Sequence, residues 1–239
     1  MNPLLIEPPP APVKVLSTGH PALDGALGCG GYPRGRVVEL TGPSLPALVM
    51  LAQAAVDAAR AERVLVVRPA ERIALTLRAG LPLSEDICPA ESALDLVELA
   101  ARSGKFALIV VDNVAALGGD QIEPAPEGER DGSVDDIAQR SALARRMSHH
   151  MRRLLTVASR TETTVLYLNP TTTRPIPWYF GTIESERGAG GNALKYYASI
   201  RVDVRLSTVE NEAKTDDIRV TRCKVVKNKL ATPFVTVDL

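Results

Sequence analysis

Four short stretches set the limits on what this chain can fold into. "RVVEL" (36–40), "RVLVV" (63–67), "FALIVVD" (106–112) and "TVLYLN" (164–169) are apolar almost without a break. A strand with one wet face alternates polar and apolar residues, whereas an unbroken apolar strand must be covered on both faces. Between and around these runs lie segments of helical periodicity, at 21–27, 46–60, 71–79, 90–103 and 135–159. Strands alternating with helices predict an α/β fold, a mostly parallel central sheet flanked by helices. "ASIRVDVRL" (198–206) and "IRVTRCKVVKN" (218–228) do alternate, and predict an antiparallel extension towards the C-terminus.

The 239 residues suffice for one full core. A single domain is expected over 15–239, preceded by a flexible Pro-rich tail over 1–14, "MNPLLIEPPPAPVK". Lysine plus arginine (28) equals aspartate plus glutamate (28), so a uniformly basic nucleic-acid coat is excluded and any such contact must be local. Cys29, Cys88 and Cys223 are far apart, as expected for reduced thiols without a disulfide framework or zinc site. No signal peptide and no apolar run long enough to span a membrane is visible, so a soluble, cytoplasmic protein is expected, nucleoid association remaining open. Two stretches read as loops after strand ends, 118–136 and 170–191.

The first apolar run leads into Gly42-Pro43 and then a helical pattern, which is the setting of a phosphate-binding loop. Such a loop needs GxxxxGK[ST]: glycines close backbone N–H groups round phosphate, lysine supplies charge, and the hydroxyl holds Mg²⁺. Counting from Gly42, those places hold Ala47, Leu48 and Val49, and Pro46 has no N–H to offer. A lysine about 4 Å from one phosphate charge is worth roughly 4 kcal/mol at an effective dielectric near 20, and leucine supplies none of it. Leu48, Leu51, Ala52, Ala55, Val56 and Ala59 instead form a buried helical stripe, with Pro46 suited to the first turn. Asp112 ends the third run, where a carboxylate could hold Mg²⁺ through water, and Glu71 alone follows the second as a water activator. "GCGGYPRG" (28–35) precedes its strand, so it reads as a turn and not a dinucleotide loop.

Five blocks, "STGHPALDGALGCGGYPRGRVVELTGP" (17–43), "ALIVVDNVAAL" (107–117), "ARRMSHHMRRL" (144–154), "GGNALKYYASIRVDVR" (190–205) and "KVVKNKLATPF" (224–234), resemble the core of the RecA recombinase family, in family order. The resemblance implies a RecA-like fold. It also exposes departures: the family's GPESSGKT-like loop is Gly42-Pro43-Ser44-Leu45-Pro46-Ala47-Leu48-Val49 here. The family's water-activating glutamate aligns with Ala70, Glu71 being one place off, and its strand-end Asn-Gln sensor is Asn169-Pro170. Together these imply a pseudo-ATPase with no catalytic residue, no metal and no ATP or Mg²⁺ cofactor.

Other family positions are matched. Arg145, Arg152, Gly190, Gly191 and Asn192 match its DNA contacts, and Arg146 and Arg153 share the same basic run, which a solvated helix face would equally explain. Arg174 and the aromatics Trp178, Tyr179 and Phe180 fall in its second DNA loop. Aromatics there would stack on single-stranded bases at ~1–3 kcal/mol each, or pin the loop to the domain. Lys227 and Lys229 match the pair that reaches a neighbouring protomer's nucleotide. The family's N-terminal docking helix and C-terminal domain have no counterpart in these residues, so a long filament of this chain alone is not expected. The closest class is ImuA, which implies an accessory role in damage-induced translesion synthesis, with RecA, Y-family-like and error-prone polymerases and single-stranded DNA as partners. A residual DNA-dependent ATPase with an altered phosphate loop, and a pure interaction scaffold, are the alternatives.

Overall fold

The structure, a computed structural model, describes residues 13–69, 84–88, 90–118, 134–178, 181–209 and 218–239. A small antiparallel pair, β1 (Val15–Leu16) and β2 (Tyr32–Pro33), brackets helix α1 (Pro21–Ala26). The predicted turn at 28–35 closes this pair, ahead of the first long strand.

The main sheet is built on β3 (Val37–Gly42), which is buried along its whole length. It is followed by α2 (Leu45–Ala58), β4 (Val64–Pro69), β5 (Ser84–Cys88), α3 (Ala90–Arg102) and β6 (Leu108–Asp112). A short 3-10 turn (Ala115–Gly118), α4 (Val134–Thr161), β7 (Thr164–Trp178) and β8 (Gly181–Gly188) come next. The chain ends in α5 (Ala193–Tyr197), β9 (Ile200–Val209), β10 (Ile218–Asn228) and β11 (Thr236–Asp238). The spatial order is β11-β10-β9-β3-β7-β6-β4-β5, with β8 pairing β7.

From β9 to β5 the neighbours are parallel, and β10 and β11 are added antiparallel. The α/β expectation therefore holds. The alternating strand β9 also joins β3 in parallel, so the extension is one continuous sheet with the core.

Even-numbered residues of β3 and β9 (Val38, Leu40, Val202, Val204) pack with α1 and α2. The opposite face (Val37, Leu65, Val111, Tyr167) packs with α3, α4 and α5. Covering both faces is what the unbroken apolar runs required. Among the described residues no helix is long and apolar enough to cross a membrane. Among the described residues Cys29 is half-buried and Cys223 buried, both as free thiols.

The loop reading of 170–191 needs correction. β7 runs on past the sheet and pairs antiparallel with β8 from Thr171↔Gly188 to Trp178↔Gly181, giving a projecting two-stranded ribbon. Its threonines and prolines carry turn-like composition, yet Thr suits a pleated surface and Pro is tolerated on a ladder edge. In the other predicted loop, α4 already begins at Val134, while 119–133 lie outside the described residues. The helix expected at 71–79 also lies outside them, whereas β5 and the short α5 were not anticipated.

Candidate nucleotide and nucleic-acid site

Only Pro43 and Ser44 separate β3 from α2. The helix starts at Leu45, with Pro46 in its first turn and exposed. The Leu48 N–H donates to the Ser44 carbonyl at 3.2 Å, an ordinary helical bond. Ala47 and Leu48 are buried, Leu48 completely, and Val49 packs at the edge of the same cluster. Leu48 and its neighbours at helical spacing, Leu51, Ala52, Ala55 and Val56, are thus core residues. Gly42 has φ +156, and a Cβ there would lie 2.0 Å from the Val204 carbonyl oxygen on β9. A close strand approach therefore demands glycine at 42.

Asp112 is buried at the end of β6, facing the α2 side of the sheet with Leu108 and Val110. Asn169 is also buried, and its amide is fully used. Nδ2 donates to Glu39 Oε1 at 2.7 Å and to the Ala189 carbonyl at 3.3 Å, and Oδ1 accepts from the Ala189 N–H at 2.9 Å. The other Glu39 oxygen accepts from Arg201 Nε across the β3–β9 ladder. A buried carboxylate at 1% exposure needs such pairing, and here two donors supply it. Pro170 follows Asn169 where the ribbon leaves the sheet, paired with Gly42. Glu71 and Ala70 lie outside the described residues.

Helix α4 buries Leu143, Met147, His150, Met151, Leu154 and Ala158, and turns Arg145, His149 and Arg152 to solvent. The basic run is therefore split by the helical period. Of the adjacent histidines, His150 points inward: its Nε2 lies 2.8 Å from Tyr167 Oη, and burial pushes its pKa down to about 4. Arg153 is committed elsewhere. Its Nε and Nη2 donate to Glu98 Oε1 at 3.1 and 2.8 Å, beside Arg102 at 3.0 and 2.6 Å. Burial pushes the Glu98 carboxyl up, but the hydrogen bonds from Arg102 and Arg153 outweigh it and hold the pKa below its ordinary value. Arg153 thereby links α3 to α4 through Glu98. Arg152 donates to Tyr197 Oη at 3.1 Å and stays on the surface, and Arg146 is half-buried.

Gly190, Gly191 and Asn192 form the turn into α5, pressed against α4. A Cβ at Gly191 would come 2.7 Å from the Ala144 Cβ, so the turn sits directly beside Arg145. The structure thereby sets the Gly191-Asn192 turn and α5 against helix α4, which carries Arg145 and Arg152. Arg174 and Trp178 lie on the ribbon strand β7, their side chains outside the described residues, as is Phe180 altogether.

Lys227 is engaged within the chain. Its Nζ donates to the Lys195 and Tyr196 carbonyls, both at 2.8 Å, and so caps the C-terminal end of α5. Burial, then the charges of Lys229 and Arg201, lower its pKa from the ordinary lysine value. Lys229 keeps an exposed side chain while its N–H donates to the Ser199 carbonyl. The family resemblance pairs these lysines, and their surroundings differ: Lys227 is held by the carbonyls of α5, while Lys229 is exposed. Among the described residues no cluster of His, Cys, Asp or Glu converges as metal ligands.

Among the described residues, a nine-stranded, mostly parallel sheet with a helix entering behind Gly42 and an aspartate closing β6 defines a RecA-like α/β core. The RecA N-terminal domain family matches residues 5–239, and the chain belongs to the RecA family. Proteins named RecA are among its relatives. That of Desulforapulum autotrophicum is 37% identical over 236 residues, which cover 95% of this chain and 64% of that protein. That of Nitratiruptor sp. is 37% identical over 233 residues, again 64% of its length. That of Thermus thermophilus is 40% identical over 251 residues, 98% of this chain and 68% of that one. The chain thus spans 64% of the length of the first two relatives.

Proposed function

We propose that this RecA-family chain is a non-catalytic accessory protein of the DNA damage response, of the ImuA type. It acts in error-prone translesion synthesis by binding RecA, Y-family-like and error-prone polymerase partners, and single-stranded DNA, without ATP turnover. The observation that carries this reading is Leu48: completely buried, it occupies the place of the phosphate-gripping lysine, in a helix that already starts at Leu45. Pro46, in the first turn of the same helix, offers no N–H to an anion. The exposed group on α4 and the Gly191-Asn192 turn supports the nucleic-acid part.

Calorimetric titration with ATP and Mg²⁺, paired with capture of purified RecA and polymerases with and without single-stranded DNA, tests the reading. No heat of nucleotide binding together with partner capture supports it. Nucleotide binding with DNA-stimulated turnover refutes it. That second outcome is the prediction of a residual DNA-dependent ATPase, which the retained, buried Asp112 at the end of β6 favours. Loss of turnover in Asp112→Asn would then assign Asp112 to the metal.

A further inference from the structure

The ribbon formed by β7 and β8 leaves the sheet between two clamps of different kinds. The inner clamp is Asn169. Its amide exchanges hydrogen bonds with both backbone groups of Ala189, just after β8, and is anchored to Glu39, which Arg201 neutralises. Four elements of chain are thereby tied at one buried point: β3, β7, β9 and the segment following β8. Nothing larger than glycine fits beside it, because a Cβ on Gly188 would lie 2.5 Å from Asn169 Nδ2.

The outer clamp is Arg205 of β9. It meets Glu186 of β8 through two parallel bonds, Nη1 to Oε1 at 3.0 Å and Nη2 to Oε2 at 2.5 Å. Its Nε donates to Asp203 Oδ2 at 2.8 Å, so the guanidinium plane is fixed from both edges. A two-pronged pair specifies orientation as well as proximity. The ribbon is held on its buried and its solvent side by groups of this chain.

We infer that Asn169 and Arg205 are positioning residues that hold the ribbon in one preset pose, making its presentation to nucleic acid independent of any bound nucleotide. The second half rests on the proposed function; the first does not. Preorganisation of this kind removes an ordering cost from the binding step.

Amide hydrogen exchange on the full chain tests the pose. In the wild type, amides of 171–178 and 181–188 are protected equally with and without ATP and Mg²⁺. Arg205→Ala and Glu186→Ala each speed ribbon exchange by about tenfold while β3 and β6 amides stay protected, as expected for a local opening. Arg205→Lys, which keeps the charge but not the fork, falls between. Ribbon protection that appears only with ATP, or ribbon exchange unmoved by Arg205→Ala, overturns the inference. Anisotropy with a labelled single-stranded oligonucleotide then separates the two layers. Affinity unaffected by ATP, weakened in Arg205→Ala and partly recovered in Arg205→Lys supports the whole. A protected ribbon on a protein that binds no oligonucleotide supports the pose and overturns the nucleic-acid reading.

Discussion

His150 Nε2 lies 2.8 Å from Tyr167 Oη, and the two rings meet edge to face at 6.4 Å between centroids. Helix α4 is thereby joined to β7 by a polar contact inside an apolar layer. Burial lowers the His150 pKa to about 4, so the folded state keeps the ring neutral where the unfolded chain would protonate it near 6.5. The unfolded state binds the extra proton between those values, so this contribution is complete above pH 6.5 and lost as pH falls towards 4. Thermal melts across that window should show the wild type falling more steeply than His150→Gln.

Leu48 provides a second test. Leu48→Ala should cost about 2–5 kcal/mol in urea denaturation, the range for truncating a fully buried leucine. Leu48→Lys, which would restore the family's charge, should destabilise at least as much because it buries an unpaired ammonium. Calorimetry on Leu48→Lys should show no ATP binding, since Pro46 and Ala47 remain where the loop needs an N–H donor and a glycine.

The two kinds of arginine on α4 should separate cleanly. Arg145→Ala should leave stability within about 0.5 kcal/mol, as surface changes do. It should weaken single-stranded DNA binding and lower the salt slope by about one phosphate contact. Arg153→Ala should do the reverse, lowering stability by about 1–2 kcal/mol through the Glu98 clamp and changing DNA affinity little. Denaturation and anisotropy on the same preparations decide both.

Lys227 and Lys229 should also part company. Lys227→Ala removes a cap that satisfies carbonyls of α5, so faster exchange in 193–197 and a loss of about 1 kcal/mol are expected. Lys229→Ala should leave stability unchanged and reduce RecA capture. Equal effects of both on capture, without loss of stability, would return Lys227 to the interface.

The sheet was legible because burial on both faces leaves an unbroken apolar signature, and helices α2, α3 and α4 were placed to within a few residues. The fate of Leu48 was legible for the same reason: its neighbours at helical spacing are all apolar. Side-chain commitments were not. Arg153 and Arg145 look alike in sequence, and only packing of α3 beside α4 supplies Glu98, 55 residues away, to one of them. Lys227 is similar, its acceptors coming from a five-residue helix too short to announce itself. The ribbon was missed because its strand β7 carries threonines and prolines where the periodic apolar signal stops.

Those prolines have a consequence for how the protein behaves in company. A two-stranded ribbon that projects from a sheet has outer edges with nothing beside them, and such edges invite a strand from another molecule. Pro175 and Pro177 stand two apart on β7, opposite Glu184 and Thr182, so both remove a donor from the same edge. Proline is tolerated in a ladder where its absent N–H would have faced outward. The alternate prolines therefore blunt that flank against edge-to-edge aggregation, letting the ribbon project at high local concentration without templating strand addition.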